Sequence, residues 1–345
     1  MTEEPEITGT EQEFYEHHRF TVDPGQDLLR VDKYLFSRIS AVSRTRIQAA
    51  ADAGCIRVNE KAVKANYRVK PGDVVTVVLS TPPVEFELVP ENIPLHLLYE
   101  DDDVIIIDKE AGMVVHPAHG NYTGTMLNAL LYHLMNKAGG KPVKPYLLHR
   151  IDKDTSGVLA VALNETAQAI LAKQFFEHTI ERRYLALVWG DFKEENGTIS
   201  GHIGRSLKNR KVMDVFPDGS HGREAITHYR LLERFRYVSL VECTLETGRT
   251  HQIRAHMQHI GHPLFNDATY GGDKILKGTT FTKYRQFVQN CFKLISRQAL
   301  HAQYLGFVHP TTGKKVYFES PLPEDFSSVL EKWRNYSQYI KPQDE

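Results

Sequence analysis

Cysteine is scarce in this chain: Cys55, Cys243 and Cys291, an odd number spread widely over 345 residues. That excludes a disulfide framework and a CxxC metal signature, and a reducing, cytoplasmic setting fits such usage best. Long apolar runs are missing too. A membrane span needs about 18 such residues, whereas Val104–Ile107, ended by Asp108, is only strand-sized. The first residues, MTEEPEITGTEQEFYEHH, lack the apolar segment of a signal peptide. No GxGxxG or GKS/T loop appears, so nothing marks a dinucleotide or P-loop site. What is there is ordinary for a globular protein, 41% hydrophobic and 25% charged. The length predicts two domains or three.

The formal net charge of −1 hides a pattern. Residues 1–28 carry −7, residues 29–80 carry +6, residues 81–103 carry −7, and the remainder carries +7 with 14 of the 17 histidines. Two basic bodies are thus separated by an acidic stretch and preceded by an acidic tail. Segregated charge of this kind can make a local anion-binding patch on a neutral protein.

Residues 1–28, acidic and without periodicity, are expected to form a flexible tail. From there the pattern is helix, turn, helix, short strands. Val31, Leu35, Ile39 and Val42 follow helical spacing, Ser43 is placed to cap a second helix opening with Arg44 and Arg46, and Gly54 is placed to end it. Arginines in a first turn oppose the helix dipole, so an anionic ligand is a natural explanation for them. Residues 29–80, with RVDKYL, SRTRIQ, GCIRVN and VKPGDVV, resemble the S4 RNA-binding module, a small α/β domain. Lys33, Arg44, Arg46, Arg57 and Lys64 are its candidate phosphate contacts.

Residues 81–95 hold Pro82, Pro83, Pro90 and Pro94 and are expected to be a linker. Beyond them, strand-like runs such as Val158–Leu163, Tyr184–Trp189, Ala225–Leu232 and Val238–Leu245 mix with helix-like runs at Thr125–Asn136 and Thr166–Phe176. No βαβ alternation appears. The expectation is an α+β domain over residues 96–335 with a mainly antiparallel sheet, followed by a tail at 336–345.

Four charged stretches stand out: LHRIDKDTSG at 148–157, ERRYLA at 181–186, ETGRTHQIRAH at 246–256 and RQALHA at 297–302. In this order they resemble the RluA-type pseudouridine synthases. HPAHG at 116–120 and GTMLNALL at 124–131 are most similar to the RluD-like group, which acts on large-subunit ribosomal RNA. The resemblance implies isomerisation of uridine: the N1–C1′ bond breaks and C5 joins C1′. No atom enters or leaves, so the stoichiometry requires no cofactor and no metal. One ionised carboxylate suffices, whether it attacks the sugar or takes a proton from it. The match puts that carboxylate at Asp152, its cationic partner at Arg254 and a base-stacking ring at Tyr184. Arg182 stands where many relatives have lysine. Arg150 is expected to help fill the space left by the everted base or to hold the flipped phosphate, Arg249 to contact a phosphate, His149 to support the loop, and Asp154 to serve in the turn.

His251, His256, His259 and His262 were weighed as metal ligands. With no cysteine or carboxylate near them and no HExxH, they are expected to be solvated or RNA-facing instead. The implied partner is large-subunit ribosomal RNA or an assembling subunit, met by a monomer away from any membrane. Two other readings stand beside this one: an RNA-binding or ribosome-assembly factor with an idle site, and a metal-dependent hydrolase built on the histidines.

Overall fold

The computed structural model describes residues 15–39, 42–79, 88–118, 121–141, 143–209 and 212–339. It divides into two units, the first ending at Glu87 and the second starting at Leu88. Residues 1–14 of the expected tail at 1–28, residues 81–87 of the expected linker and residues 340–345 of the expected tail at 336–345 lie outside the described residues.

The smaller unit runs β1 (Tyr15–Thr21), β2 (Leu29–Arg30), α1 (Val31–Phe36), α2 (Arg44–Asp52), β3 (Ile56–Val58), β4 (Lys61–Ala62), β5 (Arg68–Val69) and β6 (Val74–Leu79). The Ser43 side chain accepts from the Arg46 amide at 3.3 Å, as an N-cap should. Val31, Tyr34, Leu35, Ile47, Ile56 and Val75 form the core between helices and sheet. Asp32 is buried beneath α2, where Arg30, Arg44 and Gln48 all donate to it. Burial raises its pKa, but those donors more than offset this and hold it at about 2.

One expectation is corrected here. Tyr15–Thr21, taken as part of a flexible tail, is an edge strand paired antiparallel with β6, and Val22 behind it is fully buried. Edge strands tolerate charge because one face and one side meet water, so acidic composition masked this one.

The larger unit opens with β7 (His96–Glu100), β8 (Val104–Lys109), α3 (Met126–Lys137), β9 (Tyr146–Leu147), β10 (Ser156–Ala162) and α4 (Glu165–Phe176). β11 (Glu181–Trp189), β12 (Asn196–Arg205), β13 (Met213–Phe216), β14 (Arg223–Arg234) and β15 (Val238–Leu245) follow. The chain then makes α5 (Gln252–His259), α6 (Thr282–Leu294), β16 (Leu300–Val308), β17 (Lys315–Glu319) and α7 (Glu324–Tyr339). The main sheet has the order β13-β12-β14-β15-β11-β16-β10-β8-β7, with β17 on β16 and β9 on β10. Among the described strands of this sheet, only β10 and β16 pair in parallel. Mainly antiparallel α+β architecture is therefore what the chain adopts. α6 and α7 pack around Trp189, Phe265 and Trp333, while Met126, Leu130, Ile253 and Met257 of α3 and α5 join a separate core with Ile151 and Tyr184.

Two boundaries shift. Residues 88–95 belong to the larger unit: the Asn128 side chain donates to the Val89 carbonyl at 2.8 Å and the Glu91 amide donates to the Asn128 carbonyl at 3.1 Å. At the other end α7 runs to Tyr339, past the expected boundary at 335. Val329, Leu330 and Trp333 anchor it.

Candidate active site

Asp152 stands on the loop between β9 and β10, and this loop is pinned on both sides. The Thr155 amide donates to the Asp152 carbonyl at 3.1 Å, closing a turn over Lys153 and Asp154. From one side the buried Lys109 Nζ donates to the carbonyls of Glu110, Met113 and Lys153 at 2.6, 2.9 and 2.9 Å. Burial pulls the Lys109 pKa down to about 7, yet three carbonyls match the three donors of the ammonium form. From the other side Arg297 donates to the Asp154 carbonyl at 3.0 Å and to Ser156 Oγ at 3.3 Å. Its own fork is held by Asp325 at 2.7 and 2.9 Å. The fourth charged stretch thus supports the first. The loop ends at Gly157, with φ +115°, where a Cβ would lie 2.1 Å from the Ala302 carbonyl oxygen. Only glycine lets β10 approach β16 there.

Arg254 lies in the first turn of α5 and is buried. Its Nη1 donates to Asp152 Oδ2 at 3.0 Å. Its Nε and Nη2 make a bidentate pair with Asp267 at 2.7 and 2.9 Å. Burial works against the Arg254 charge, but Asp267 and then Asp152 reverse this and push its pKa up. Asp267 is 1% exposed and also accepts from the amides of Thr269 and Tyr270. The guanidinium lies 5.1 Å from the Tyr270 ring centroid, and Tyr270 Oη meets His251 Nδ1 at 3.0 Å. α5 itself is fastened by Gln252, which donates to the Ile226 carbonyl and to Thr227 Oγ1 and accepts from Thr247 Oγ1 and the Arg249 amide.

Tyr184 projects from β11, 8% exposed, and burial raises its pKa, so the phenol stays neutral. Asp152, Tyr184, Arg254, Arg150, Arg249 and His251 line one small cavity. Site residues drawn from three distant stretches are thus brought together. Arg150 is exposed at its rim, and Arg249 Nε donates to the Glu224 carbonyl at 2.9 Å. His149 Nε2 accepts from the Ala160 amide at 3.0 Å, which requires a neutral ring; burial holds its pKa at about 3. Arg182 is buried, with Nη2 donating to the carbonyls of Leu245 and Glu246.

Sequence reasoning missed Lys109, Asp267 and Tyr270. The last two sit in a turn closed by Gly271 and Gly272, a punctuation signal that was there to be read. It also misjudged His256. That side chain is fully buried, its Nδ1 is 2.9 Å from Thr227 Oγ1, and burial lowers its pKa to about 4. It belongs to the packing of α5 rather than to solvent or RNA. A separate trio, Asp101, Asp103 and His309, lies close enough to hold a cation. Its atoms are already engaged: His309 Nε2 donates to Asp101 at 2.7 Å, and Nδ1 accepts from the Thr311 and Thr312 amides.

In the smaller unit Lys33, Arg44, Arg46 and Lys64 are exposed. Arg57 is set apart from the helical layer. Ile56 and Val58 on either side of it point into the core, so alternation turns Arg57 to the opposite face, where it lines a groove with Arg19 and Thr76.

An antiparallel sheet thus carries a carboxylate–guanidinium pair beside a buried tyrosine, in a unit preceded along the chain by a small domain with exposed basic residues. A family model described as RNA pseudouridylate synthase matches residues 103–259, and one described as S4 domain matches residues 29–75. An uncharacterized RNA pseudouridine synthase of Chlorobaculum parvum is 50% identical over 313 residues, 90% of this chain and 95% of that one. A protein of Zymomonas mobilis named ribosomal large subunit pseudouridine synthase D is 42% identical over 306 residues, 87% of this chain and 92% of that one. The solved structure of human RNA pseudouridylate synthase domain containing 1 matches with TM-score 0.52 and 26% identity over 72% of this chain and 97% of that one. The chain belongs to the RNA pseudouridine synthase family, in its RluA-type branch with an S4 domain in front.

Proposed function

We propose that the chain converts specific uridines of 23S ribosomal RNA to pseudouridine, with Asp152 as the catalytic carboxylate. The observation that carries this is the Asp152–Arg254 contact at 3.0 Å, facing a cavity that Tyr184 also lines. A carboxylate covered by a base loses water, and burial alone would favour its neutral form. Arg254, charged under the hold of Asp267, sets a guanidinium N–H on Asp152 Oδ2 in place of the lost water. An ionised carboxylate is what both routes ask for, attack on C1′ or removal of a ribose proton, before C5 replaces N1 at C1′. The flat Tyr184 ring suits a uracil that must turn, since stacking does not fix rotation as a hydrogen bond would. Arg150 fills the space of the everted base, an eversion that costs a few kcal/mol. In the S4 module Lys33, Arg46, Arg57 and Lys64 hold phosphates, with Arg44 shared between RNA and Asp32. The enzyme works as a monomer, without metal or organic cofactor.

The large-subunit target is supported by relatives of Zymomonas mobilis and Nitrosomonas europaea, 42% and 41% identical, that are named ribosomal large subunit pseudouridine synthase D. The test is pseudouridine mapping in RNA from cells with and without the gene. At least one 23S pseudouridine should vanish in the deletion and return with the wild-type gene but not with Asp152→Asn. A complete map without any such loss in 23S RNA overturns the target assignment.

A further inference from the structure

Behind the strand pair that carries the catalytic turn lies a second cavity, about 420 Å³, whose lining includes Lys109, Ser156, Arg297, His301 and Asp325. Thr155 and Leu300 line the catalytic cavity, whereas their neighbours Ser156 and His301 line this one. Successive strand residues face opposite ways, so the starts of β10 and β16 form the wall between the two. Ser156 and His301 are register partners across that parallel pair, and both are buried. His301 Nε2 lies 3.1 Å from the Ser320 carbonyl, which can only accept, so Nε2 carries the hydrogen. Burial pulls the His301 pKa down and outweighs the Ser320 carbonyl and Asp108, which favour the charged ring, so Nδ1 keeps its lone pair. Ser156 Oγ stands 3.0 Å from that lone pair. It accepts from Arg297 Nη2 at 3.3 Å, which leaves its own hydrogen for Nδ1. The hydrogens therefore run one way: Arg297 to Ser156, Ser156 to His301, His301 to the Ser320 carbonyl. A buried histidine on a strand is costly unless its nitrogens are matched in this way.

We propose that His301 is a positioning residue for the reaction: its Nδ1 holds Ser156 Oγ, and this fixes the start of β10 against β16 and with it the turn that presents Asp152. The inference rests on Asp152 being the catalytic carboxylate, and it does not depend on which RNA is the target. Lys109 and Arg297 grip backbone carbonyls of that turn, at Lys153 and Asp154. The bond from Ser156 to His301 is the side-chain link that ties the end of the turn to the neighbouring strand. The parallel pairing there covers only Ser156 with His301 and Gly157 with Ala302, so a side-chain tie strengthens a short contact. A misplacement of about 1 Å at a reacting group can cost roughly a hundredfold in rate. A small slip at Ser156, four residues from Asp152, is therefore felt in turnover before it is felt in RNA binding.

The test uses the full chain and RNA from cells lacking the gene, tritiated at C5 of its uridines, both free and in ribosomal particles. Single-turnover tritium release, RNA affinity and melting temperature are the readouts. His301→Asn can set an oxygen near the Nδ1 position and keep the acceptor for Ser156. His301→Gln can set an N–H near the Nε2 position and keep the bond to Ser320 instead. Each loses one buried bond and keeps the other, so their stabilities should fall alike. The rate at saturating RNA should drop about tenfold in His301→Gln and no more than about threefold in His301→Asn, with affinity within about twofold in both. Ser156→Ala is the milder change and decides the matter if the histidine variants fold poorly. It should match His301→Gln, and the two together should lose no more than either alone, since they remove the same bond. Equal rates in His301→Asn and His301→Gln overturn the proposal, as does Ser156→Ala at the wild-type rate or a loss confined to affinity. Asp152→Asn is run beside them. Turnover there overturns the assignment of the carboxylate and the proposal with it, whereas an inactive Asp152→Asn beside an unaffected Ser156→Ala overturns the role of His301 alone.

Discussion

Asp152 and Asp154 stand two residues apart and meet different surroundings. Asp152 turns its carboxylate to Arg254, while Asp154 enters the network through its backbone carbonyl, held by Arg297. Single-turnover assays should therefore find Asp152→Asn inactive and Asp154→Asn substantially active. The opposite result would mean the wrong aspartate has been named. Asp267 separates in another way. It touches no cavity-lining atom except through Arg254, so it is a positioning residue. Asp267→Asn leaves a buried guanidinium with one carboxylate instead of two and puts an amide donor against its N–H groups. Breaking such a buried pair costs about 3–5 kcal/mol, so melting temperature and turnover should both fall while RNA affinity is kept. A variant with normal turnover and stability would show that Asp152 alone holds Arg254. The 152 motif was legible because a charged cluster stood between apolar segments. Asp267 was not, because the glycines after it mark a turn but nothing local ties that turn to Arg254, 13 residues earlier.

Helices and strands were legible to the extent that caps and alternation are local. Ser43 caps the helix expected of it, Thr125 caps the helix that the run at Thr125–Asn136 suggested, and the β14–β15 hairpin turns at Arg236, with φ +69°, between two strand-like runs. The β10–β16 contact was hidden, because strands about 145 residues apart leave no local trace of pairing. Gly157 is its marker. Gly157→Ala places a methyl group into the Ala302 backbone and should lower both melting temperature and turnover, although neither residue touches the cavity. Unchanged stability would mean that β10 can retreat from β16 at no cost. Asp32 gives an element-level prediction in pH. Its folded pKa, about 2, lies below the unfolded value near 3.8. Its contribution is therefore fully present above about pH 4 and is lost as pH falls towards 2, roughly 2 kcal/mol in all. Acid unfolding of β1–β6, followed by amide exchange, should begin in that window, and Asp32→Asn should remove this part of the pH dependence. An identical acid transition in Asp32→Asn would assign the sensitivity to another carboxylate.

At the scale of the whole molecule, the proposal that the smaller unit docks RNA while the larger one carries the chemistry can be tested by charge reversal. Arg44 is a poor reporter because it is also a partner of Asp32. Arg44→Glu would set two carboxylates together and lower stability along with binding. Lys33 and Arg46 are exposed, without a salt bridge among the described residues. Lys33→Glu with Arg46→Glu should raise the apparent KM and flatten the salt dependence, leaving turnover at saturating RNA little changed. Normal affinity with depressed turnover would refute that division of labour. The charge pattern made the two units legible, since composition changes sign at their borders. It concealed β1, because a strand can be held by backbone pairing and one buried valine beside it while most of its own side chains stay exposed.

The staple formed by Arg297 and Asp325 has a temporal side. Asp152, Tyr184, Arg254 and Asp267 are all synthesised before Arg297, β16 and Asp325, at about 5–20 residues per second. Until then Asp154 lacks its clamp and β10 lacks its parallel neighbour. A nascent chain that already contains Asp152, Tyr184 and Arg254 is thus still an unfinished catalyst, and activity is expected late in synthesis, with the final sixth of the protein.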